Sequence, residues 1–146
     1  MHFKILVIGK PSLVWAKAGA EDYMYRLQRY GRAEMECLKE GTQAQNAERL
    51  LKASDGCHRV VLDERGRLCD TAAARASLDR WEIDAGIKRV AFLIGGADGH
   101  PPQLRSAAHE LWALSPMTLQ HELALVVLLE QLYRVQTIRR GEPYHR

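Results

Sequence analysis

The chain has 146 residues and is short of the features that mark membrane, disulfide-stapled, metal-dependent and hydrolytic proteins. Its longest unbroken apolar run, Leu123–Leu129, has seven residues, where a membrane span needs roughly 20. Cys37, Cys57 and Cys69 are odd in number, widely spaced and free of CxxC. They read as reduced cysteines of a cytoplasmic protein, not as a disulfide frame or a zinc site. The six histidines (2, 58, 100, 109, 121, 145) show no HExxH spacing, so no metal site is expected. Ser115 lacks a GxSxG elbow and no cysteine carries a nucleophile motif, which argues against a serine or cysteine hydrolase. GxGxxG and GK[ST] are both missing, which excludes the usual dinucleotide and P-loop fingerprints. There is no internal repeat or low-complexity segment. Met1–Lys4 leads straight into a strand-like pattern, so no signal peptide is expected.

What is present suits one compact domain. Hydrophobic residues make up 47% of the chain, enough for a core and against disorder. Phe3–Gly9 is a short apolar run ended by glycine, the pattern of a buried strand. Ser12 is placed to cap a helix with Ala20, Tyr23, Leu27 and Tyr30 at helical spacing, stopped by Gly31. A weaker strand, Met35–Leu38, precedes a loop at 41–45 and a short helix around Ala47, Leu50 and Leu51. Val60–Leu62 reads as a third strand, with a turn at Asp63–Gly66. Asp70 is placed to cap a helix that presents Ala74, Leu78, Trp81 and Ala85 on one face. Val90–Ile94 is a fourth strand, Leu104–Trp112 a candidate helix, and His121–Ile138 the last helix. Strands alternating with helices define an α/β fold: a parallel sheet flanked by helices in a single domain, residues 1–146.

Ligands in such sheets bind beyond the carboxyl ends of the strands. Three stretches end there: Leu62-Asp63, Gly95-Gly96 and Leu114–Leu119. Gly95-Gly-Ala-Asp-Gly99 either cradles a ligand with bare backbone amides or serves only a tight turn. The last thirteen residues hold four arginines (134, 139, 140, 146) and one glutamate, a net +3 that equals the formal charge of the whole chain. That tail either meets a polyanion or is a solvated terminus. Glu130 and Arg134 are four apart and can simply pair on a helix surface. Leu123–Leu129 is apolar nearly all round, as in a core or at a subunit interface.

Four C-terminal motifs in order, Phe92-Leu-Ile-Gly-Gly-Ala-Asp-Gly99, Leu114-Ser-Pro-Met-Thr-Leu119, Leu128-Leu-Glu-Gln-Leu-Tyr-Arg134 and Gly141-Glu-Pro-Tyr-His-Arg146, resemble the bacterial RlmH family. These are large-subunit pseudouridine N3-methyltransferases of the SPOUT superfamily, and Leu6-Val-Ile-Gly-Lys10 also fits. The likeness spans the chain and is loose between about Glu40 and His58, where this protein is shorter. It implies a C-terminal trefoil knot, a homodimer, and S-adenosylmethionine held in the knot. It further implies methylation of N3 of a pseudouridine in 23S ribosomal RNA on the assembled 70S ribosome. Gly95 would lie against the cofactor, where a β-carbon would collide. Leu62 would form a wall, and Leu114, Ser115, Pro116, Met117, Thr118 and Leu119 the loop around the adenine. Arg134, Tyr144, His145 and Arg146 would sit near the transfer site. His145 is the candidate general base, His121 the second, and Arg134 the group that steadies charge on the base oxygens.

Two positions depart from the family pattern. Pro-His after the adenine loop is here Gln120-His121, and an arginine four residues past that histidine is here Leu125. Two other classes remain open from the residues alone: a non-catalytic ribosome-binding factor, and a small nucleotide-dependent enzyme acting on a metabolite. If about four arginines meet phosphates, log affinity for single-stranded RNA falls with log salt at a slope near −3.

Overall fold

The computed structural model describes every residue, Met1–Arg146. Five strands alternate with five helices: β1 (His2–Ile8), α1 (Val14–Leu27), β2 (Ala33–Leu38), α2 (Gln43–Ala53), β3 (His58–Leu68), α3 (Thr71–Ile83), β4 (Arg89–Ile94), α4 (Pro102–Ser106), β5 (Glu110–Ala113) and α5 (His121–Arg139). The sheet runs β2-β1-β4-β3-β5, and every pairing is parallel. No helix is long and apolar enough to cross a membrane.

Alternating residues of the central strands feed two cores, as a period of two dictates. Phe3, Ile5, Val7, Val60, Phe92 and Trp112 face α1, α3 and α5. Leu6, Ile8, Val61, Ala91 and Leu93 face α2 and α4 through Ala47, Leu50 and Leu104. Both faces of β4 are therefore covered, which explains its unbroken apolar run.

Glu110 organises the α3 side. Its carboxylate accepts from His58 Nε2 at 2.7 Å, Trp81 Nε1 at 2.8 Å and Trp112 Nε1 at 3.2 Å. The two indoles stack with centroids 5.7 Å apart. Burial pushes this carboxyl up, but the three ring donors together outweigh it and hold it below the ordinary glutamate range.

The local expectations hold in part. Asp70 caps α3 by accepting from the Ala73 amide at 2.8 Å. Ser12 does not cap α1, which begins after Leu13 without a side-chain cap. Ser12 instead gives its amide and hydroxyl to Glu122 of α5, at 2.7 and 3.0 Å, and Leu13 N joins at 2.9 Å. The carboxylate on α5 thus anchors the segment that leads into α1 across 110 residues, which no local pattern reveals. Residues 41–45 are only half loop, since Thr42 and Gln45 form a capping box that starts α2 at Gln43.

The helix expected over Leu104–Trp112 is a correction. α4 ends at Ser106, and Glu110–Ala113 is a strand paired with β3. Its backbone satisfies the sheet edge, and the tertiary pairing overrides the helical spacing. Asp63–Gly66 does leave the ladder, but inside β3: Leu62 and Arg67 both face Trp112. At Gly66 the backbones approach so closely that a β-carbon would lie 2.6 Å from the Leu111 carbonyl carbon.

Candidate functional site

A cavity of about 490 Å³ opens where the carboxyl ends of β3, β4 and β5 meet, within the 300–1,000 Å³ usual for small-ligand sites. Leu62, Gly95, Leu114, Ser115, Met117, Thr118 and Leu119 line it, as does His121. Pro116, expected among them, is not part of the wall and points to solvent. Asp63, named at the strand end with Leu62, lines it too; sequence reasoning missed Glu64 and Arg65 of the bulge, His100, Trp112 and Ala124, which also line it. Asp63 follows Leu62 at the strand end, a usable signal. His100 carried none, because only the fold turns it inward.

The glycine turn has a defined geometry. Gly99 N donates to Gly96 O at 3.1 Å, and Gly99 has φ +68°, which a side chain rarely tolerates. Gln43 Nε2 fastens the turn by donating to Asp98 O at 2.9 Å. A β-carbon on Gly95 would meet the imidazole of His100, Cε1 at 2.9 Å and Nδ1 at 3.2 Å. The space beside Gly95 is thus filled by a protein ring that is itself only 5% exposed. Burial holds the His100 imidazole below the ordinary histidine range, against the opposing pull of the Asp63 carboxylate. Arg105 donates to the His100 carbonyl at 2.7 Å and lies 3.8 Å from Asp63.

The Leu114–Leu119 segment is pinned at both ends. Thr118 Oγ1 donates to Glu64 of the β3 bulge at 3.0 Å. Gln120 caps α5, its Oε1 accepting from the amides of Glu122 and Leu123 at 2.9 Å each. The departure at position 120 therefore has a local purpose. Leu125, in place of an arginine, is 1% exposed within the core, so it contributes packing and no charge.

A second cluster lies near the far end of α5. Arg134 donates from Nε and NH2 to Glu130 Oε1 at 3.0 and 2.6 Å. Tyr144 OH also donates to Glu130 Oε1 at 3.1 Å and contacts Tyr23 OH at 3.1 Å. The Arg134 guanidinium sits 4.9 Å from the Tyr144 ring centroid and 3.1 Å from His145 Nδ1. Burial, with Tyr23 and Glu130 alongside, pushes the Tyr144 phenol well above its ordinary range. Sequence spacing suggested the Glu130–Arg134 pair; Tyr23 was unreadable as part of this cluster.

Arg134, Tyr144, His145 and Arg146 do not line the cavity. Thirteen residues of α5 separate His121 from Arg134, about 20 Å at 1.5 Å per residue. The basic tail is also partly neutralised within the chain. Arg139 pairs with Asp79 at 2.8 Å and with Glu82, while Glu142 takes Tyr30 OH at 2.8 Å and Arg29 at 3.4 Å. Arg140 and Arg146 stay exposed and unpaired with any acid. No group of three or more His, Cys, Asp or Glu is placed to hold a metal ion.

A parallel sheet with a glycine-turn cavity at its carboxyl edge defines an α/β protein built for a nucleotide-like ligand. Comparison with known proteins narrows that class. The fold matches a probable methylase family protein from Haemophilus influenzae Rd KW20, TM-score 0.63 at 13% identity over 99% of this chain and 70% of that one. It also matches a probable methyltransferase from Bordetella pertussis Tohama I, TM-score 0.60 at 16% identity over 91% and 94%. A family model described as "Predicted SPOUT methyltransferase" covers residues 1–145. Proteins named ribosomal RNA large subunit methyltransferase H are similar over full length. One from Thermus thermophilus is 47% identical over 146 residues, covering 100% of this chain and 99% of its own. The Deinococcus deserti protein is 44% identical, covering 100% of both. The chain belongs to the SPOUT methyltransferase family, among relatives of the large subunit methyltransferase H type.

The cavity residues fit the S-adenosylmethionine that this family implies. Leu114, Met117, Leu119 and Trp112 supply apolar wall, and the glycine turn supplies bare main chain. Glu64 and Asp98 bring negative charge suited to a cationic ligand, while Asp63 is already faced by Arg65 and Arg105, each at 3.8 Å. His100 forms a buried part of the wall beneath the turn, its ring set among the backbone groups of Leu62 and Leu93.

Proposed function

We propose that this chain is an S-adenosylmethionine-dependent methyltransferase that modifies N3 of a pseudouridine in 23S ribosomal RNA, acting on assembled 70S ribosomes in the cytoplasm. Full-length similarity at 44–47% identity to large subunit methyltransferase H proteins carries the reading, and the cavity described above is consistent with it. Leu62, Gly95 and the Leu114–Leu119 loop, Pro116 included as its exposed corner, would hold the cofactor. Bound there, S-adenosylmethionine supplies a methyl carbon on a sulfonium, and the C–S electron pair returns to sulfur as the base takes the carbon.

The separation of about 20 Å between the cavity and the Arg134 cluster supports a composite site. One chain cannot bring both to one base, so we propose a homodimer in which the tail of one protomer faces the cavity of its partner. Val14 is 85% and Trp15 51% exposed. α1 is tied to α5 by the Ser12–Glu122 contact, and Leu123 and Val127 of α5 are partly exposed. An apolar patch of this kind, bordering the cavity residues His121 and Ala124, suits a subunit interface. Arg134, Tyr144, His145 and Arg146 would then orient the nucleotide, with Arg140 on flanking phosphates. The family resemblance further implies a trefoil knot formed by threading the C-terminal segment.

The test is methyl transfer. Labelled S-adenosylmethionine, purified protein and ribosomes from a strain lacking the gene should give label at one large-subunit pseudouridine. The reading fails if no ribosomal particle takes label and calorimetry detects no S-adenosylhomocysteine binding. Ribosome binding with neither methyl transfer nor S-adenosylhomocysteine affinity would favour a non-catalytic ribosome-binding factor that keeps the fold.

A further inference from the structure

We infer that His145 serves the reaction as a hydrogen-bond donor through Nε2 rather than as its general base, with Arg134 setting the tautomer and Glu130 fixing Arg134. The inference rests on the methyltransferase reading above and assigns the chemistry of its tail.

A guanidinium has five N–H donors and no acceptor. With Arg134 NH1 at 3.1 Å from His145 Nδ1, the lone pair of Nδ1 must face the arginine. The single proton of the neutral ring is then on Nε2, which makes no other hydrogen bond in the chain and is exposed. Such a ring offers a donor to whatever docks there, and its one basic nitrogen is occupied. The partner of one ring nitrogen commonly fixes the role of the other in this way.

The arginine is well held. Glu130 takes two of its N–H groups, and the Tyr144 ring lies under its plane. Glu130 is held in turn by Tyr144 OH and by Gln131 Nε2 at 2.7 Å. Glu130 and Tyr23 are thus positioning residues, acting through Arg134 and Tyr144. Arg134 contacts His145 directly, Tyr144 and Arg146 flank it in the chain, and Glu130 and Tyr23 reach it through Arg134 and Tyr144.

The chemistry balances without a histidine base. The N3–H bond of the pseudouridine ionises to water before transfer. Its electron pair stays on N3, and the negative charge spreads to the two flanking carbonyl oxygens. His145 Nε2–H and Arg134 donate to those oxygens, as preorganised donors do for a developing anion. N3 then forms the new N–C bond as the C–S bond breaks towards sulfur. No proton ends on the protein.

Two measurements test this. First, ¹⁵N-histidine spectra of the ligand-free protein should show neutral His145 protonated at Nε2; protonation at Nδ1 overturns the proposal. Second, single-turnover methylation should distinguish His145→Gln from His145→Ala. The glutamine amide places a donor near Nε2 and cannot act as a base, so it should stay within about tenfold of wild type. Alanine should lose about 10²–10³-fold, the usual cost of one such donor. The wild-type log rate should rise with pH at unit slope through neutrality. Glutamine falling as far as alanine, or a break near about pH 6.5 that His145→Gln abolishes, would establish the base instead. Should the wild type itself transfer no methyl, the broader reading fails, while the ring-nitrogen measurement still decides the tautomer.

Discussion

Substituting Gly95 by alanine separates two reasons for a glycine at the end of β4. An alanine β-carbon would lie 2.9 Å from His100 Cε1 and 3.2 Å from Nδ1. Carbon contacts settle near 3.5–4.0 Å, so the ring must retreat by roughly 0.5–1 Å. At 5% exposure, with Arg105 bonded to its backbone, it has little room except the cavity. Overpacking of this kind costs about 1–3 kcal/mol, roughly 2–12 °C in Tm for a chain of this size. A ring displaced into the cavity should weaken S-adenosylhomocysteine binding at least tenfold. A double-mutant cycle with His100→Ala checks the cause, read by urea unfolding and calorimetry. On the His100→Ala background the stability cost of Gly95→Ala should fall below about 0.5 kcal/mol, because the clashing atoms are gone. An unchanged cost on that background would refute the argument from the ring. If stability is restored and affinity is not, the glycine itself faces the ligand, as the family resemblance implies.

Three further outcomes follow from other parts of the molecule. Glu110→Ala leaves the N–H groups of Trp81, Trp112 and His58 without their acceptor and should cost about 2–4 kcal/mol in urea unfolding. The ionisation of Glu110 is depressed in the folded state. Its stabilising contribution is therefore full above the unfolded value of 4.5 and fades as pH falls below it; Glu110→Gln should flatten stability against pH in that window. Val14→Asp, at the exposed first turn of α1, should leave the monomer's stability within about 0.5 kcal/mol yet give monomers in sedimentation where wild type gives dimers; an intact dimer would place the interface elsewhere. With Arg134 and Arg139 already paired, two free arginines predict a salt slope for single-stranded RNA near −1.4, and a measured slope near −3 would mean that the internal pairs open on binding.

The α/β class, the first four strands and most of the cavity were legible because they rest on local patterns. Burial on both faces writes continuous apolar runs at Phe3–Gly9 and Val90–Ile94, and strand ends at Leu62 and Gly95 mark where such sheets bind ligands. β5 was illegible: Glu110–Ala113 is short, and its pairing with β3 is a long-range event that helical spacing around it conceals. Ser12 misled for a related reason. A good capping residue was read locally, while the acceptor that fixes it lies on α5. His100 and Tyr23 show the same limit at the site. Each owes its place to a partner about 5 to 121 residues away, Gly95 in one case and Tyr144 in the other.

The split between cavity and tail bears on why the tail carries so many internal contacts. A terminal segment that must meet a nucleotide across an interface gains from being rigid before the partner arrives, since ordering each side chain on binding costs about 0.5–1.5 kcal/mol. Glu142 ties the tail to Tyr30 and Arg29, Tyr144 to Tyr23, and Arg134 to Glu130. Those contacts neutralise charge that RNA would otherwise attract, so they act against affinity. They are understandable if the tail selects geometry more than it supplies attraction. Tyr144→Phe then becomes informative, because it keeps the ring under Arg134 and removes only the hydroxyl that bridges Glu130 and Tyr23. It should leave RNA affinity within about twofold, since no phosphate contact is lost, and lower the single-turnover rate about tenfold, the equivalent of one hydrogen bond of about 1.4 kcal/mol. A loss of RNA affinity with an unchanged rate would show that the hydroxyl contacts the substrate and that preorganisation has nothing to do with it.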